Sequence, residues 1–136
     1  MNSLVSGLLS LGHTVEVIAP RNSKLIESNE KAKLHLVEGE GQISWQHQNY
    51  NSSVTIPDNS VLAGMLEKAL NIAKQADVVL NMSYDWLPIW ITLNYEIPIA
   101  HIISMGSESS VISNLISKVY AKYPYNFAFH SKIQAD

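Results

Sequence analysis

Tyr84, Asp85 and Trp86 are the side chains of this sequence best suited to chemistry, because an acid stands between two aromatic rings just after the apolar run Val78-Val79-Leu80. A carboxylate at such a place can orient a hydroxyl group, and rings beside it can stack on a flat ligand. The junction Ser104-Met-Gly-Ser-Glu-Ser-Ser110 offers a second kind of chemistry. Gly106 allows a tight turn and Ser104 and Ser107 carry hydroxyls. The helix that follows presents unpaired N–H groups and the positive end of its dipole to an anion or a developing negative charge. His130, which closes a Phe-Ala-Phe run, is a third candidate. Ordinary structural uses compete with each: Trp86 can pack beneath the next helix, and Ser107 can simply cap one while Glu108 complements its dipole.

The elements that must position these residues alternate in the α/β manner. Leu4, Val5, Leu8, Leu9 and Leu11 share one side of an opening helix, Gly12 is a left-handed stop, and Thr14 to Ala19 reads as a strand closed by Pro20. Lys33 to Val37 suits a strand, and Ile43 to Ile56 is a polar loop with scattered apolar residues and room for one irregular hairpin. Asp58, Asn59 or Ser60 can cap a helix whose Val61, Leu62, Met65, Leu66, Ala69, Leu70 and Ala73 hold the helical period. Val78 to Leu80 is too short for a helix and β-branched at two positions, so it reads as a strand covered on both faces. A short helix around Leu87 to Leu93, a strand from Ile99 to Ile103, a helix capped by Ser107 and a short strand at Phe127 to Phe129 complete the pattern. Strands near residues 14–19, 78–82 and 99–103 are predicted to be parallel neighbours in one sheet, with helices near 60–75 and 107–122 on its faces. In such a sheet, ligands collect beyond the carboxyl ends of the strands, where the Tyr84 loop and the Ser104 to Ser107 junction would both lie.

Composition narrows the function. The chain of 136 residues is 46% hydrophobic, enough for an ordinary core in one domain, and its formal charge of −3 leaves no basic stripe for nucleic acid. It has no cysteine, which excludes disulfides, thiolate metal sites and a cysteine nucleophile and fits the cytoplasm. The apolar stretch Trp86 to Ile103 is interrupted by Pro88, Asn94, Glu96, Pro98 and His101 and does not read as a membrane span. His13, His35, His47, His101 and His130 lack the spacing of a zinc site, and mid-strand His101 is expected to be a hydrogen-bonded core residue. No nucleophile elbow, phosphate-binding loop or dinucleotide fingerprint occurs.

The succession Leu11-Gly-His-Thr-Val-Glu-Val-Ile-Ala-Pro20, Ala76-Asp-Val-Val-Leu-Asn81, Tyr84-Asp-Trp86, Ile97-Pro-Ile-Ala-His101 and His130-Ser131 resembles the N-terminal, acceptor-side domain of family 4 glycosyltransferases of the GT-B fold. Within that family, Pro57-Asp-Asn-Ser-Val-Leu-Ala63, Tyr84-Asp-Trp-Leu-Pro88, Pro98-Ile-Ala-His101, Ser104-Met-Gly-Ser107 and His130-Ser with Gln134-Ala-Asp136 resemble more closely the cyanobacterial UDP-glucose:tetrahydrobiopterin glucosyltransferases. The resemblance implies two Rossmann-like domains facing a cleft, of which this chain matches the first. It implies retaining transfer of glucose from UDP-glucose, held by the other domain without a bound metal, to a small-molecule acceptor such as a pterin. By the match, Asp85 positions the acceptor, and Tyr84, Trp86, Ser104, Gly106, Ser107 and His130 bind it. Ser104 stands where many members of the family carry a histidine.

The fold expected is therefore α/β, an incomplete Rossmann-like domain over residues 1–136 with a mainly parallel sheet flanked by helices. The opening helix normally follows a parallel strand, and no such strand precedes it here, so the chain reads as a piece lacking its first strand and the donor domain, inactive alone. The helix face bearing Leu4, Leu8 and Leu11 is then poorly covered, which favours self-association through the incomplete sheet. The alternatives are an α/β module that binds a small molecule or a protein without turnover, and a subunit that regains its lost strand from a partner.

Overall fold

A computed structural model describes residues 2–24 and 31–132; the segments 25–30 and 133–136, the latter including Gln134 to Asp136, lie outside the described residues. The helices are α1 (Asn2–Ser10), α2 (Val61–Ala73), α3 (Trp86–Ile91) and α4 (Ser110–Lys122). The strands are β1 (Val15–Pro20), β2 (Ala32–Val37), β3 (Val79–Asn81), β4 (Ile99–Ile103) and β5 (Phe127–Phe129), and 3₁₀ turns occupy Trp45–His47 and Pro124–Asn126. The loop from residue 41 to 59 contains no strand of the hairpin allowed for it. No described helix is long and apolar enough to cross a membrane.

Local chemistry accounts for the helix ends. At the end of α1, Gly12 takes a left-handed φ of 89°, so that its N–H reaches Leu9 O at 3.0 Å and the His13 N–H reaches Leu8 O at 3.1 Å. Ser60 caps α2 by accepting from the Ala63 N–H at 3.2 Å. The cap of α4 is Ser109, which accepts from the Ile112 N–H, and not Ser107 as the spacing suggested. Ser107 lies before the helix and its hydroxyl meets that of Ser113 at 2.7 Å.

All strand pairs are parallel, and the architecture is an α/β, partial Rossmann-like fold with two small sheets flanked by helices. The single sheet predicted from the alternation of elements is divided: β1 pairs with β2, β3 and β5 pair with β4, and no ladder joins β1 to β3. Periodicity identifies strands but says nothing about which edges meet, and among the described residues β1 and β3 each keep one edge unpaired. The apolar interior is divided likewise. Val5 and Leu9 of α1 pack on Val15, Val17, Ala19 and Leu34, whereas Trp45, Ile89, Ile112, Leu115 and Val119 form a separate cluster under β5. Leu11 of the opening helix is exposed.

Where β2 ends, Gly39 adopts a φ of 151° and its backbone lies against the start of α2, bridged by Glu40 N–H to Asn59 O at 2.6 Å and Val61 N–H to Glu40 O at 3.0 Å. A Cβ at Gly39 would stand 2.7 Å from Val61 N and 2.8 Å from Asn59 O, both rigid backbone atoms. Gly39→Ala is expected to lower unfolding free energy by about 2 kcal/mol or more, measured by urea titration. Wild-type stability in that variant would show that the crossing relaxes without strain.

Candidate functional site

Because β3, β4 and β5 run parallel, the loops after them emerge at one edge, and the sequence-predicted residues follow those strands. Tyr84 and the Ser104 junction are brought together directly: the Tyr84 Oη accepts from the Glu108 N–H at 3.2 Å, linking the β3–α3 loop to the β4–α4 loop. Ser104, Gly106 and Ser107 are exposed beside this link. Trp86 is half-buried and stacks on Trp90 one helical turn later, with ring centroids 5.3 Å apart and planes at 17°. Their rings give α3 an aromatic surface, part packed and part open to solvent. His130 is exposed just past β5, and no side-chain partner draws it into the Tyr84 link.

Asp85 is the exception to the expected placement. It is only 6% exposed and caps α3: Oδ1 accepts from the Trp86 N–H at 2.7 Å, and Oδ2 accepts from the Trp45 Nε1–H at 3.4 Å. Burial raises its pKa above the ordinary carboxylate value, while the hydrogen bonds from Trp45, Trp86 and Leu87 oppose the rise. A carboxylate turned inward and bonded through both oxygens does not face a ligand at the surface. It fixes the backbone between Tyr84 and Trp86.

Behind the loops, His101 is fully buried as expected of a core histidine. Asn81 Oδ1 accepts from the Ser83 N–H at 3.1 Å, which turns its amide Nδ2 toward His101 Nδ1 at 3.0 Å. His101 Nδ1 is thereby an acceptor, so the proton sits on Nε2, which donates to Thr92 Oγ1 at 2.8 Å. The ring also stacks on Phe127 at 5.0 Å. This network ties the ends of β3 and α3 to β4, and desolvation lowers the histidine pKa to about 4.

One polar group escaped notice in the sequence. Arg21 and Glu38 follow β1 and β2 directly and pair at 2.6 Å, both largely exposed. With Pro20, Asn22, Gly39 and Val61 they line an open concavity of about 390 Å³. Their position just beyond two predicted strands was the available signal. Neither this concavity nor the smaller one beside Trp45 is lined by Tyr84, Trp86 or the Ser104 junction. Among the described residues no cluster of three or more histidine or acidic side chains could hold a metal ion. The sequence matches no protein-family profile, and comparison with characterised proteins gives no significant match.

The depressed pKa of His101 has a definite pH signature. Between the ordinary value of 6.5 and about 4, the unfolded chain binds this proton and the folded protein does not. The stability held above pH 6.5 should therefore fall by up to about 3 kcal/mol as the pH drops toward 4. His101→Gln, which cannot titrate, should show a flatter slope over the same range in urea melts. Equal slopes in both proteins would place the pH sensitivity elsewhere.

Proposed function

We propose that this chain is the acceptor-side half of a retaining glucosyltransferase that takes glucose from UDP-glucose and delivers it to a small, flat, hydroxylated acceptor of the pterin class. The observation that carries the reading is the Tyr84 to Glu108 link, because it makes one continuous shelf of the two loops that the family resemblance assigns to the acceptor. Tyr84, Trp86, Ser104, Gly106 and Ser107 offer the acceptor a ring surface and hydroxyl partners, with His130 at the flank. Asp85 acts through the backbone it holds and not by touching the acceptor hydroxyl. Glucose transfer passes through a transition state with oxocarbenium character, so this half contributes orientation of the attacking hydroxyl, while the donor domain supplies the charge for the departing diphosphate. The same shelf serves a second reading, a small-molecule-binding α/β module without turnover, and binding measured on this chain is common to both.

Titration of the chain with tetrahydrobiopterin, followed by tryptophan fluorescence and amide NMR, should quench the Trp86–Trp90 pair and shift resonances in both loops. Trp86→Ala should weaken binding roughly tenfold, as loss of one stacking contact of about 1.4 kcal/mol requires, with thermal melting as the control for folding. Shifts confined to the Arg21–Glu38 concavity, or none at all, would contradict the assignment. Transfer assayed after adding a donor domain from a family 4 enzyme separates the transferase from the binding module.

A further inference from the structure

We propose that the space between the open edges of β1 and β3 is a strand slot, filled by one extended apolar segment that runs parallel to both and leads into the amino end of α1. The inference is independent of the glucose-transfer reading. It begins with the faces of the first sheet. Leu34 packs with α1, whereas the Val37 side chain lies against Gly64 of α2; residues three apart in a strand point to opposite faces, so the two helices cover opposite sides. Crossovers between parallel strands are right-handed, so a helix that changes face reverses the direction of travel across the sheet. From β2 the chain returns through α2, which lies more over β1 than over β2, and then enters β3. β3 therefore lies beyond β1, yet no hydrogen bond joins the two strands. The order is β2, β1, an open position, β3, β4, β5, which is a doubly wound sheet with one central place unfilled.

Burial is low around that position. Ala73 is the buried residue of α2, whose long side chains Leu62, Leu66 and Leu70 are only half-covered, whereas α4, far from the slot, buries Ile112, Leu115 and Val119. On β3, Leu80 is 37% exposed and the adjoining Val78 is 52% exposed, although every second residue of neighbouring β4 is buried. Backbone geometry gives the same result. Val15 donates to Lys31 O at the β2 side and Val79 donates to Pro98 O at the β4 side, so by strand alternation the N–H groups of Glu16, Ile18 and Leu80 point into the slot.

The occupant follows from these limits. Open edges on both sides require a strand parallel to both, and covering helices on the two faces require it to be apolar on both. Among the described residues no strand of a second copy can supply it, since each of β1 to β5 already has a bonded neighbour and cannot present two free edges. α1 packs on β1 and feeds it through the Gly12 turn, so a right-handed strand-helix-strand unit places the occupant at the amino end of α1, next to the open edge of β1.

The test is a pair of fusions ahead of Asn2 in the whole chain: a β-branched apolar hexapeptide with a short glycine turn, and a Ser/Asn segment of equal length. Hydrogen exchange and melting temperature are read in both. The apolar fusion should slow exchange of the Glu16, Ile18 and Leu80 amides at least tenfold and raise the melting temperature, with no change from the polar one. A Thr/Val-alternating fusion serves if sedimentation shows the apolar one self-associating. Unchanged exchange in the apolar and Thr/Val fusions, protection of these amides without any fusion, or equal protection by the free hexapeptide would overturn the proposal.

Discussion

The contact between Trp45 and Asp85 is the one on which the rest of this structure depends. Trp45 belongs to the long polar loop between β2 and α2, so by sequence it is part of the β1–β2 half, but its ring is 5% exposed inside the cluster formed by Ile89, Ile112, Leu115 and Val119. Burying an indole N–H requires an acceptor, since an orphaned donor would cost about 1–3 kcal/mol. Asp85 supplies that acceptor and caps α3 with its other oxygen. One buried carboxylate thus anchors the loop in the second apolar cluster and starts a helix. The Ser110 N–H, donating to Tyr50 O at 2.9 Å, ties the same loop to the start of α4.

The candidate site is a consequence of that anchor. With Asp85 turned inward, its neighbours Tyr84 and Trp86 are set on either side of a fixed backbone. Tyr84 then reaches the Glu108 N–H, and Trp86 lies on Trp90. His101, Asn81 and Thr92 brace the same strand ends from beneath through bonds satisfied on both ring nitrogens. The shelf is built on strand ends and helix starts held by buried polar groups, which is the kind of support a binding surface needs.

Much of this was legible in the sequence where the controlling forces are local. The helical period of Val61 to Ala73, with a cap among Asp58, Asn59 and Ser60, the strand Ile99 to Ile103, the Gly12 stop and the core placement of His101 all follow from near neighbours in the chain. Asp85 carried an equally local signal, an acid just before an apolar helix, but its aromatic neighbours drew the reading toward a ligand. The cap of α4 was read as Ser107 and is Ser109, in a serine-rich run where local chemistry alone does not choose between them. Trp45 stands alone in a loop without periodicity, so no pattern announced its burial. The division into two sheets could not be read either, because edge pairing is decided by residues distant in sequence.

A double-mutant cycle measures the anchor most directly. Trp45→Phe keeps an aromatic ring and removes the N–H, while Asp85→Ser keeps a helix-capping oxygen and removes the carboxylate. Unfolding free energies of the wild type, both single variants and the double variant should give a coupling of about 1–2 kcal/mol. A coupling of zero would contradict the account, because the loop would then be anchored without this bond.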